Sequence, residues 1–283
     1  MALVAGLRAF GAKWPSWLRR SPWAPLSAGF CSPGSARPAG PESEPRLTST
    51  RQQDGIRSAS VFRHTRRGHR IPLQMVVSHH VVGPVFSSGH DLKELTGAQG
   101  RDYHTEVFQT CSEVMMLIRN HPVPIVAMVN GLATAAGCQL VASCDIAVAS
   151  DKSSFATPGV NVGLFCSTPA VALGRAVPRK VALEMLFTGE PISAQEALRH
   201  GLISKVVPEE QLEEEATRIA KKIASLSRSV VALGKATFYK QLPQDLSTAY
   251  FLASQAMVDN LALKDGQEGI EAFIQKRRPV WSH

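Results

Sequence analysis

Two short runs of small residues mark places where backbone amides could bind an oxygen atom. Ala133 to Gly137 follows one apolar segment and precedes another that begins at Cys138. A small-residue loop at the start of a helix lets a ligand approach free backbone N–H groups. Such amides can form an oxyanion hole, which stabilises the developing negative charge of an enolate or a tetrahedral intermediate. Close packing of a helix on a strand would produce the same pattern.

A comparable turn occurs earlier in the chain. The segment from Gly83 to Leu95 contains a strand end, a Ser-Ser-Gly turn and the predicted start of a helix, with Asp91 at the N-cap position. Two such turns can each offer one amide to the same carbonyl oxygen. His90 could titrate near neutral pH and act as a base. A solvent-facing or capping histidine and a capping aspartate are the structural alternatives.

The segment around the second turn contains no charged residue from Asn120 to Cys144. Val123 to Val129 is typical of a buried strand, and Asn130-Gly131 ends it. The length would suffice for a transmembrane helix. Prolines and the Asn-Gly pair interrupt the segment, however, so the sequence favours a strand, a turn and a buried helix.

Strands alternating with helices predict an α/β fold. Asp145 to Ala149 is predicted as a strand. Hydrophobic periodicity predicts a helix from Asp102 to Asn120 with Val107, Cys111, Val114 and Ile118 on its inner side. Further helices are predicted at Glu184 to Leu186, Ala194 to Arg199, Glu209 to Leu226, Asp245 to Leu263 and Glu268 to Arg277.

Composition limits the classes of function. The five cysteines among 283 residues form no paired framework and no Cys-x-x-Cys spacing, which favours a reducing compartment. The sequence has no Walker A loop, no His-Glu-x-x-His motif, no dinucleotide-binding glycine fingerprint and no zinc constellation. It therefore predicts no metal site.

The N-terminal region carries much of the positive charge. Glu42 is the first acidic residue, and the segment before it is basic and amphipathic, with the cationic residues Arg8, Lys13, Arg19, Arg20 and Arg37. This pattern predicts a mitochondrial presequence over residues 1–41 and a location in the matrix, with a disordered basic tail as the alternative. Because these five charges belong to a total of +8, the basic balance does not imply nucleic-acid binding.

Several blocks in order resemble the enoyl-CoA hydratase/isomerase (crotonase) superfamily. Its first turn reads Phe-x-Ala-Gly-x-Asp, and its second reads Asn-Gly-x-Ala-x-Gly-Gly-Gly-x-x-Leu. Here the turns read Phe86-Ser-Ser-Gly-His-Asp91 and Asn130-Gly-Leu-Ala-Thr-Ala-Ala-Gly-Cys-Gln-Leu140. The other matching blocks are Cys144-Asp-Ile146, Phe155-Ala-Thr-Pro158, Leu186 to Ala197, Gly201 to Val207 and Asp265 to Pro279.

The resemblance implies a crotonase-type β-β-α spiral over residues 83–283, with a helical C-terminal trimerisation region and an incomplete N-terminal unit. It places the oxyanion-hole amides on Ser88 and Ala136. It also implies that Lys276 and Arg277 contact the phosphates of coenzyme A, with a solvated helix face as the alternative. No cofactor is implied besides the coenzyme A thioester as ligand or substrate.

The family's two catalytic glutamates fall on Gln139 and Gly159. Glutamine cannot ionise and glycine has no side chain, so the acid–base pair that hydration requires is missing. His90, Asp91 and Asp145 are the nearby candidates for a replacement base. Cys138 could have a lowered pKa at the helix start, or could be a small core residue.

The resemblance therefore predicts an acyl-CoA-binding protein of mitochondrial fatty-acid metabolism that is weak or inactive as a hydratase. A non-catalytic regulatory or assembly subunit is the alternative. The expected partners are acyl-CoA and further copies of the chain, as a homotrimer or a dimer of trimers. Neither nucleic-acid binding nor a transmembrane segment is predicted.

Residues 42–82 are predicted as a linker and an atypical segment, in which the departure from the family pattern begins after Ile56 and ends at Gly83. Residues 57–70 hold five arginines and two histidines, which cannot line a buried sheet. Ile71 to Val77 could form a strand, although Pro72 restricts it to a sheet edge. An alternative exon or reading frame that replaces the first β-α-β unit is our hypothesis, and a basic nucleic-acid-binding arm is the rival. We expect the segment from Arg57 to Val82 to be irregular or extended and not to pack as the family's β-α-β unit.

Overall fold

The computed structural model describes residues 61–62, 75–78 and 84–282. The predicted presequence at residues 1–41 and most of the predicted linker at residues 42–82 lie outside the described residues. Over the described ranges the chain alternates short strands with helices. The strands are β1 (Val61–Phe62), β2 (Met75–Ser78), β3 (Val85–Ser87), β4 (Ile125–Val129), β5 (Leu132–Thr134), β6 (Ile146–Ser150), β7 (Ser154–Ala156), β8 (Ile192–Ser193) and β9 (Lys205–Val207).

The strands form two sheets. The first has the order β1-β2-β4-β6-β9 and is parallel except for the antiparallel β1–β2 pair. The second has the order β3-β5-β7-β8 and is parallel except for the β7–β8 pair. From β2 to β7, consecutive strands along the chain therefore alternate between the two sheets. In the parallel parts, strands of one sheet end side by side at the same edge.

A helix follows each pair of strands, which produces a β-β-α spiral: β2, β3 and α1, then β4, β5 and α2, then β6, β7 and α3. The helices are α1 (Gly100–Asn120), α2 (Ala136–Ser143), α3 (Ser167–Ala176), α4 (Arg179–Thr188), α5 (Ala194–His200), α6 (Leu212–Ala224), α7 (Arg228–Gln241), α8 (Leu246–Ala262) and α9 (Lys264–Ile274). The spiral with helical C-terminal elements is the crotonase fold that the resemblance predicts.

The core lies between the sheets and the helices that cover them. Strand β4 is apolar along its whole length, and four of its five residues are buried, as expected of a parallel strand with both faces covered. Phe86 and Phe155 are among the largest fully buried side chains. They come from the same sheet, in β3 and β7, and belong to one core cluster.

Most predicted elements are confirmed, with shifted ends. The segment that could have spanned a membrane is divided into β4, β5 and α2. Among the described residues, no helix is long and apolar enough to cross a bilayer. Helix α4 is longer than predicted, whereas the sequence patterns predict neither α3 nor α7. On α1, Ile118 is buried and Val107, Cys111 and Val114 are half-buried, so the predicted inner side is confirmed.

Strand β2 lies in the range from Arg57 to Val82 and is extended, as expected, but the expectation that Pro72 restricts it to a sheet edge is wrong. This strand pairs in parallel with β4 over Met75–Ser78 and antiparallel with β1. It begins three residues after Pro72, so the proline removes no donor from the ladder. Apart from β1, the remaining residues of this range lie outside the described part of the chain.

Candidate functional site

Two strands of the second sheet end in the two predicted turns. Ser88 follows β3 directly, and Gly89 has a φ of +85°. Ala136 is the first residue of α2, and Ala135 before it has a φ of 48° and a ψ of −115°. The amides of a first helical turn have no partner within the helix. Because β3 and β5 are parallel neighbours, both turns emerge at the same edge of the sheet.

The two turns contact each other closely. A Cβ placed on Gly89 would lie 3.0 Å from the Ala135 Cβ and 3.3 Å from the Ala136 nitrogen. A Cβ on Gly137 would lie 2.6 Å from the Ser87 Cβ. Glycine is therefore required at both positions, and at Gly89 also by its positive φ. Sequence reasoning identifies both glycines as turn residues but misses this contact.

Backbone hydrogen bonds fix the second turn. The Ala135 N–H donates to the Ala156 carbonyl at 3.0 Å, and the Gln139 N–H donates to the Ala135 carbonyl at 2.9 Å. The Leu132 N–H donates to the Pro84 carbonyl at 2.9 Å. The Ala135 bond thus ties the residue before α2 to the end of β7, and the Leu132 bond ties the start of β5 to the residue before β3. Amides held in this way need no rearrangement when an oxygen arrives, which is the property that an oxyanion hole requires.

His90 and Asp91 have different surroundings. The ring of His90 packs against Phe108 with a centroid distance of 5.3 Å. Burial lowers the pKa of His90 below 6.5, although the nearby Glu94 carboxylate opposes the shift. The neutral imidazole that a base requires is therefore favoured. Asp91 is an N-cap, as predicted: its carboxylate accepts from the Lys93 N–H at 2.9 Å and begins a 3₁₀ turn at Leu92–Leu95.

Gln139 is 5% exposed, within the first two turns of α2. Its side-chain oxygen Oε1 is buried and has no hydrogen-bond partner among the described residues. The same is true of the hydroxyl oxygen of Thr157, which is fully buried directly after β7. Sequence reasoning does not identify Thr157, although its place inside the Phe-Ala-Thr-Pro block is a signal.

The position of Gly159 is filled by the chain itself. A Cβ there would lie 2.6 Å from the Leu164 carbonyl oxygen and 2.9 Å from the Cys166 Sγ. The Leu164 N–H donates to the Gly159 carbonyl at 2.9 Å, which holds the turn in place. A carboxylate could not occupy this position unless the turn moved.

Two other candidates have structural surroundings. Cys138 is completely buried, and burial raises its pKa to about 12, so it is a core residue and its pKa is not lowered. The carboxylate of Asp145 accepts from the Ile125 N–H and the Lys235 Nζ at 2.7 Å and from the Tyr239 hydroxyl at 2.8 Å. These bonds occupy both of its oxygens.

Lys276 and Arg277 lie after α9, at the C-terminal end of the helical region. Lys276 has a φ of 55°, which is unusual for a residue other than glycine. The guanidinium of Arg277 donates to both carboxylate oxygens of Glu268, at 2.6 and 2.9 Å. Arg277 would have to exchange or share this partner in order to bind a phosphate, whereas no such ion pair involves Lys276 among the described residues.

The arrangement supplies backbone amides without a carboxylate pair. The described residues contain no group of three or more His, Cys, Asp or Glu side chains that could hold a metal ion. Oxygen binding by the two turns requires neither a metal nor an ionisable side chain. Of the nearby candidates for a base, the carboxylates of Asp91 and Asp145 are engaged in a cap and in an ion pair.

Comparisons with known proteins bear on this geometry. The family model for enoyl-CoA hydratase/isomerase matches residues 73–283, a range that includes β2 and begins before the resemblance seen in the sequence. "Enoyl-CoA hydratase domain-containing protein 3, mitochondrial" of Rattus norvegicus is 87% identical over an alignment of 301 residues that covers 100% of both chains. That alignment is longer than the 283 residues of this chain, so part of the relative has no counterpart here.

Solved structures of enoyl-CoA hydratase relatives also match this chain. The crystal structure of human enoyl coenzyme A hydratase domain-containing protein 3 matches with a TM-score of 0.71 and 84% identity, covering 73% of this chain and 81% of that chain. An enoyl-CoA hydratase of Mycobacterium smegmatis matches with a TM-score of 0.69 and 48% identity, covering 71% and 78%.

The name of the rat relative confirms the mitochondrial location that the basic N-terminal segment predicts. The spiral of alternating strands, the paired turns after β3 and β5 and these matches lead to one conclusion. The chain belongs to the enoyl-CoA hydratase/isomerase family.

Proposed function

We propose that this protein binds acyl-CoA thioesters in the mitochondrial matrix, as part of fatty-acid metabolism, and that it is a poor hydratase. The observation that carries the proposal is the contact between the two turns, which brings Gly89 beside the Ala136 nitrogen. The thioester carbonyl oxygen accepts from the Ser88 and Ala136 amides. Lys276, and Arg277 if it leaves Glu268, contact the phosphates of coenzyme A.

The weakness as a hydratase follows from the residues at the family's catalytic positions. Hydration needs one group that removes a proton from water and one that returns a proton to the substrate. Gln139 cannot ionise, and the place of a side chain at Gly159 is filled by Leu164 and Cys166. Loss of a single acid or base costs about 10²–10⁴-fold in rate. Any remaining reaction would use the amides with His90 as base, as in an isomerisation through an enolate.

Calorimetry with acetyl-CoA and with a medium-chain enoyl-CoA tests the binding. We expect heat of binding from folded protein and a rise in the unfolding temperature with ligand concentration. Folded protein that releases no heat at high ligand concentration would contradict the proposal. Free coenzyme A is the control, because it has the nucleotide but no thioester carbonyl.

Turnover of crotonyl-CoA tests the chemistry. We expect little hydration by the wild-type chain and, at most, a partial gain in Gln139→Glu, because the second carboxylate is still missing. Robust wild-type turnover that is insensitive to His90→Ala and Asp91→Asn would refute these assignments.

A non-catalytic regulatory or assembly subunit is the second candidate. The Gly159 position favours this candidate, because other atoms of the chain occupy the space that the side chain of a catalytic acid would need. Tight acyl-CoA binding without turnover of enoyl, acyl or hydroxyacyl thioesters would support this candidate over a weak enzyme.

Self-association is part of the proposal. Helices α7, α8 and α9 expose many large apolar side chains to solvent in the single chain, and α7 and α8 contain no buried residue. Apolar surface on this scale marks an interaction surface. We assign it to further copies of this chain, as a homotrimer or a dimer of trimers.

A further inference from the structure

We propose that Ser153 is a positioning residue for the thioester site, because its hydroxyl fixes the starts of the strands that end in the two turns. The inference rests on the proposed function, since it concerns how the Ser88 and Ala136 amides are held in place. Ser153 is 2% exposed and lies directly before β7. It is therefore at the opposite end of the parallel strands of the second sheet from those amides.

The Ser153 hydroxyl joins two places where the chain crosses between the sheets. The chain passes from the first sheet to the second between β4 and β5, and again between β6 and β7. The Ser153 hydroxyl donates to the Val129 carbonyl at 3.0 Å and accepts from the Gly131 N–H at 3.1 Å. One buried side chain thus connects the end of β4, the residue before β5 and the residue before β7.

Gly131 extends this connection to the first turn. It has a φ of +86°, and a Cβ placed on it would overlap the carbonyl of Pro84, the residue before β3. The Leu132 N–H donates to the same carbonyl at 2.9 Å. Backbone that is packed this closely transmits a shift to its neighbour. A displacement of Gly131 would therefore displace the starts of both β3 and β5.

The strands are too short to absorb such a displacement. Strands β3, β5 and β7 have three residues each and pair side by side. At about 3.3 Å per residue, the turns lie only about 10 Å from the starts of the strands. Oxyanion donors must lie within hydrogen-bond distance of the developing charge, and a misplacement of about 1 Å can cost about 10²-fold. The Ser88 and Ala136 amides therefore depend on the bonds of Ser153.

A neighbouring serine has a different set of bonds. Ser150 is fully buried, and its hydroxyl lies 2.9 Å from that of Ser153 and donates to Asn130 Oδ1 at 2.9 Å. Asn130 Nδ2 donates in turn to the carboxylate of Glu209 at 2.9 Å. These bonds join side chains, whereas the bonds of Ser153 to Val129 and Gly131 hold backbone groups. Ser150 is therefore a matched control for Ser153.

The test follows the absorption of hexadienoyl-CoA bound to the full chain. This conjugated thioester absorbs at longer wavelength when its carbonyl oxygen accepts hydrogen bonds, because they stabilise the charge separation of the excited state. We expect a red shift with wild type and the loss of most of it in Ser153→Ala. The affinity relative to free coenzyme A should fall by about threefold to tenfold, as for one hydrogen bond. Ser153→Thr keeps the hydroxyl and should retain the shift, even if its added methyl group lowers the unfolding temperature.

Two control variants separate positioning from a general loss of stability. Ser150→Ala should keep the red shift, because it leaves the backbone bonds of Ser153 in place. Ser227→Ala removes a buried hydroxyl that donates to Asp265 in the C-terminal helical region, and it should keep the red shift although its unfolding temperature falls. If Ser153→Ala does not fold, Ser153→Cys takes its place, since it is similar in size and has a weaker hydrogen-bonding group.

The results distinguish this inference from the proposed function. A red shift that is the same in wild type and in Ser153→Ala or Ser153→Cys would overturn the inference and leave acyl-CoA binding intact. An equal loss of the red shift in Ser150→Ala or Ser227→Ala would also overturn it, because the effect would then follow stability. If folded wild-type protein does not bind hexadienoyl-CoA, or binds it without a red shift, the proposed function itself fails and the inference fails with it.

Discussion

At Gly159 the neighbouring chain leaves no room for a side chain. The Leu164 carbonyl oxygen and the Cys166 Sγ lie 2.6 and 2.9 Å from the place of a Cβ. A carboxylate at this position would need the segment after Gly163 to move. The loss of the second family glutamate therefore involves more than one exchanged residue. The neighbouring chain also occupies the space that its side chain would need.

We therefore expect Gly159→Ala to lower the free energy of unfolding by about 1–3 kcal/mol, as overpacking of a filled site does. Urea unfolding followed by circular dichroism would measure the change. Gly174→Ala is the control, since a Cβ there meets nothing within 4 Å inside α3, and removal of a helical glycine stabilises by about 0.5–1 kcal/mol. Equal stability of Gly159→Ala and wild type would show that the turn can move freely.

The ring of His90 packs against the ring of Phe108. Burial lowers the pKa in the folded state below the ordinary value of 6.5, so the unfolded chain binds the proton more readily. The stability from this residue is therefore present above pH 6.5 and is lost as pH falls through the window below it. We expect Phe108→Ala to raise the pKa towards 6.5 and to weaken the loss of stability below that pH.

Nuclear magnetic resonance titration of the His90 ring, with unfolding measured between about pH 5 and pH 7.5, would check both effects. Gln109→Ala is the control, because it changes the adjacent residue of the same helix and leaves the ring contact intact. A His90 pKa that is the same in wild type and Phe108→Ala would show that the aromatic contact does not cause the shift.

At the scale of elements, one buried ion pair joins α7 to the first sheet. The Lys235 Nζ donates to Asp145 at 2.7 Å and to the Ile118 and Val123 carbonyls at 2.9 and 3.2 Å. The Tyr239 hydroxyl donates to the same carboxylate. Burial and this bond raise the pKa of Tyr239 above its usual value. Helix α7 is thereby attached to the end of α1 and the start of β4.

Lys235→Met should lower the free energy of unfolding by about 3–5 kcal/mol, because it leaves the Asp145 carboxylate buried without its counter-charge. Thermal and urea unfolding would measure the loss. Lys152→Met is the matched control: its ion pair with Glu209 is exposed on the surface, and we expect no measurable change. A loss no larger than that of the control would mean that the buried pair does not stabilise the attachment.

At the scale of the whole molecule, the C-terminal helices expose large apolar side chains to solvent. Leu246, Phe251 and Phe273 are 74%, 70% and 85% exposed in the single chain. Removing such groups from water contributes about 25 cal/mol per Å² of apolar area, so several chains gain free energy by covering these faces together. The proposed oligomer follows from this surface.

We expect Phe251→Glu to shift the protein towards monomer, since a charge would be buried without a partner in the interface. Size-exclusion chromatography with light scattering would measure the mass. Phe251→Leu is the control and should keep the oligomer, because it remains apolar. If wild type is monomeric at high concentration, or if Phe251→Glu keeps the wild-type mass, this face is not the interface.

The sequence alone determined the elements whose signals are local. The apolar run of β4 and its Asn130-Gly131 end are predictable because a buried parallel strand needs that pattern. The cap at Asp91 is predictable because the bond joins residues two apart in the chain. The residue types at Gln139 and Gly159 exclude the usual acid–base pair by their chemistry alone. The sequence patterns do not predict helices α3 and α7, which contain two buried side chains and none, respectively.

Only the tertiary structure decided which groups meet. The approach of Gly89 to Ala136, the filling of Gly159 by Leu164 and the burial of unpaired oxygens at Gln139 and Thr157 all depend on how separate segments pack together. Local periodicity states which side of an element is apolar, and it does not fix the distance between two turns on different strands. That distance is set by strand pairing and by the packing of α2 on the sheet. The sequence therefore identified the candidate amides, and packing determined what surrounds them.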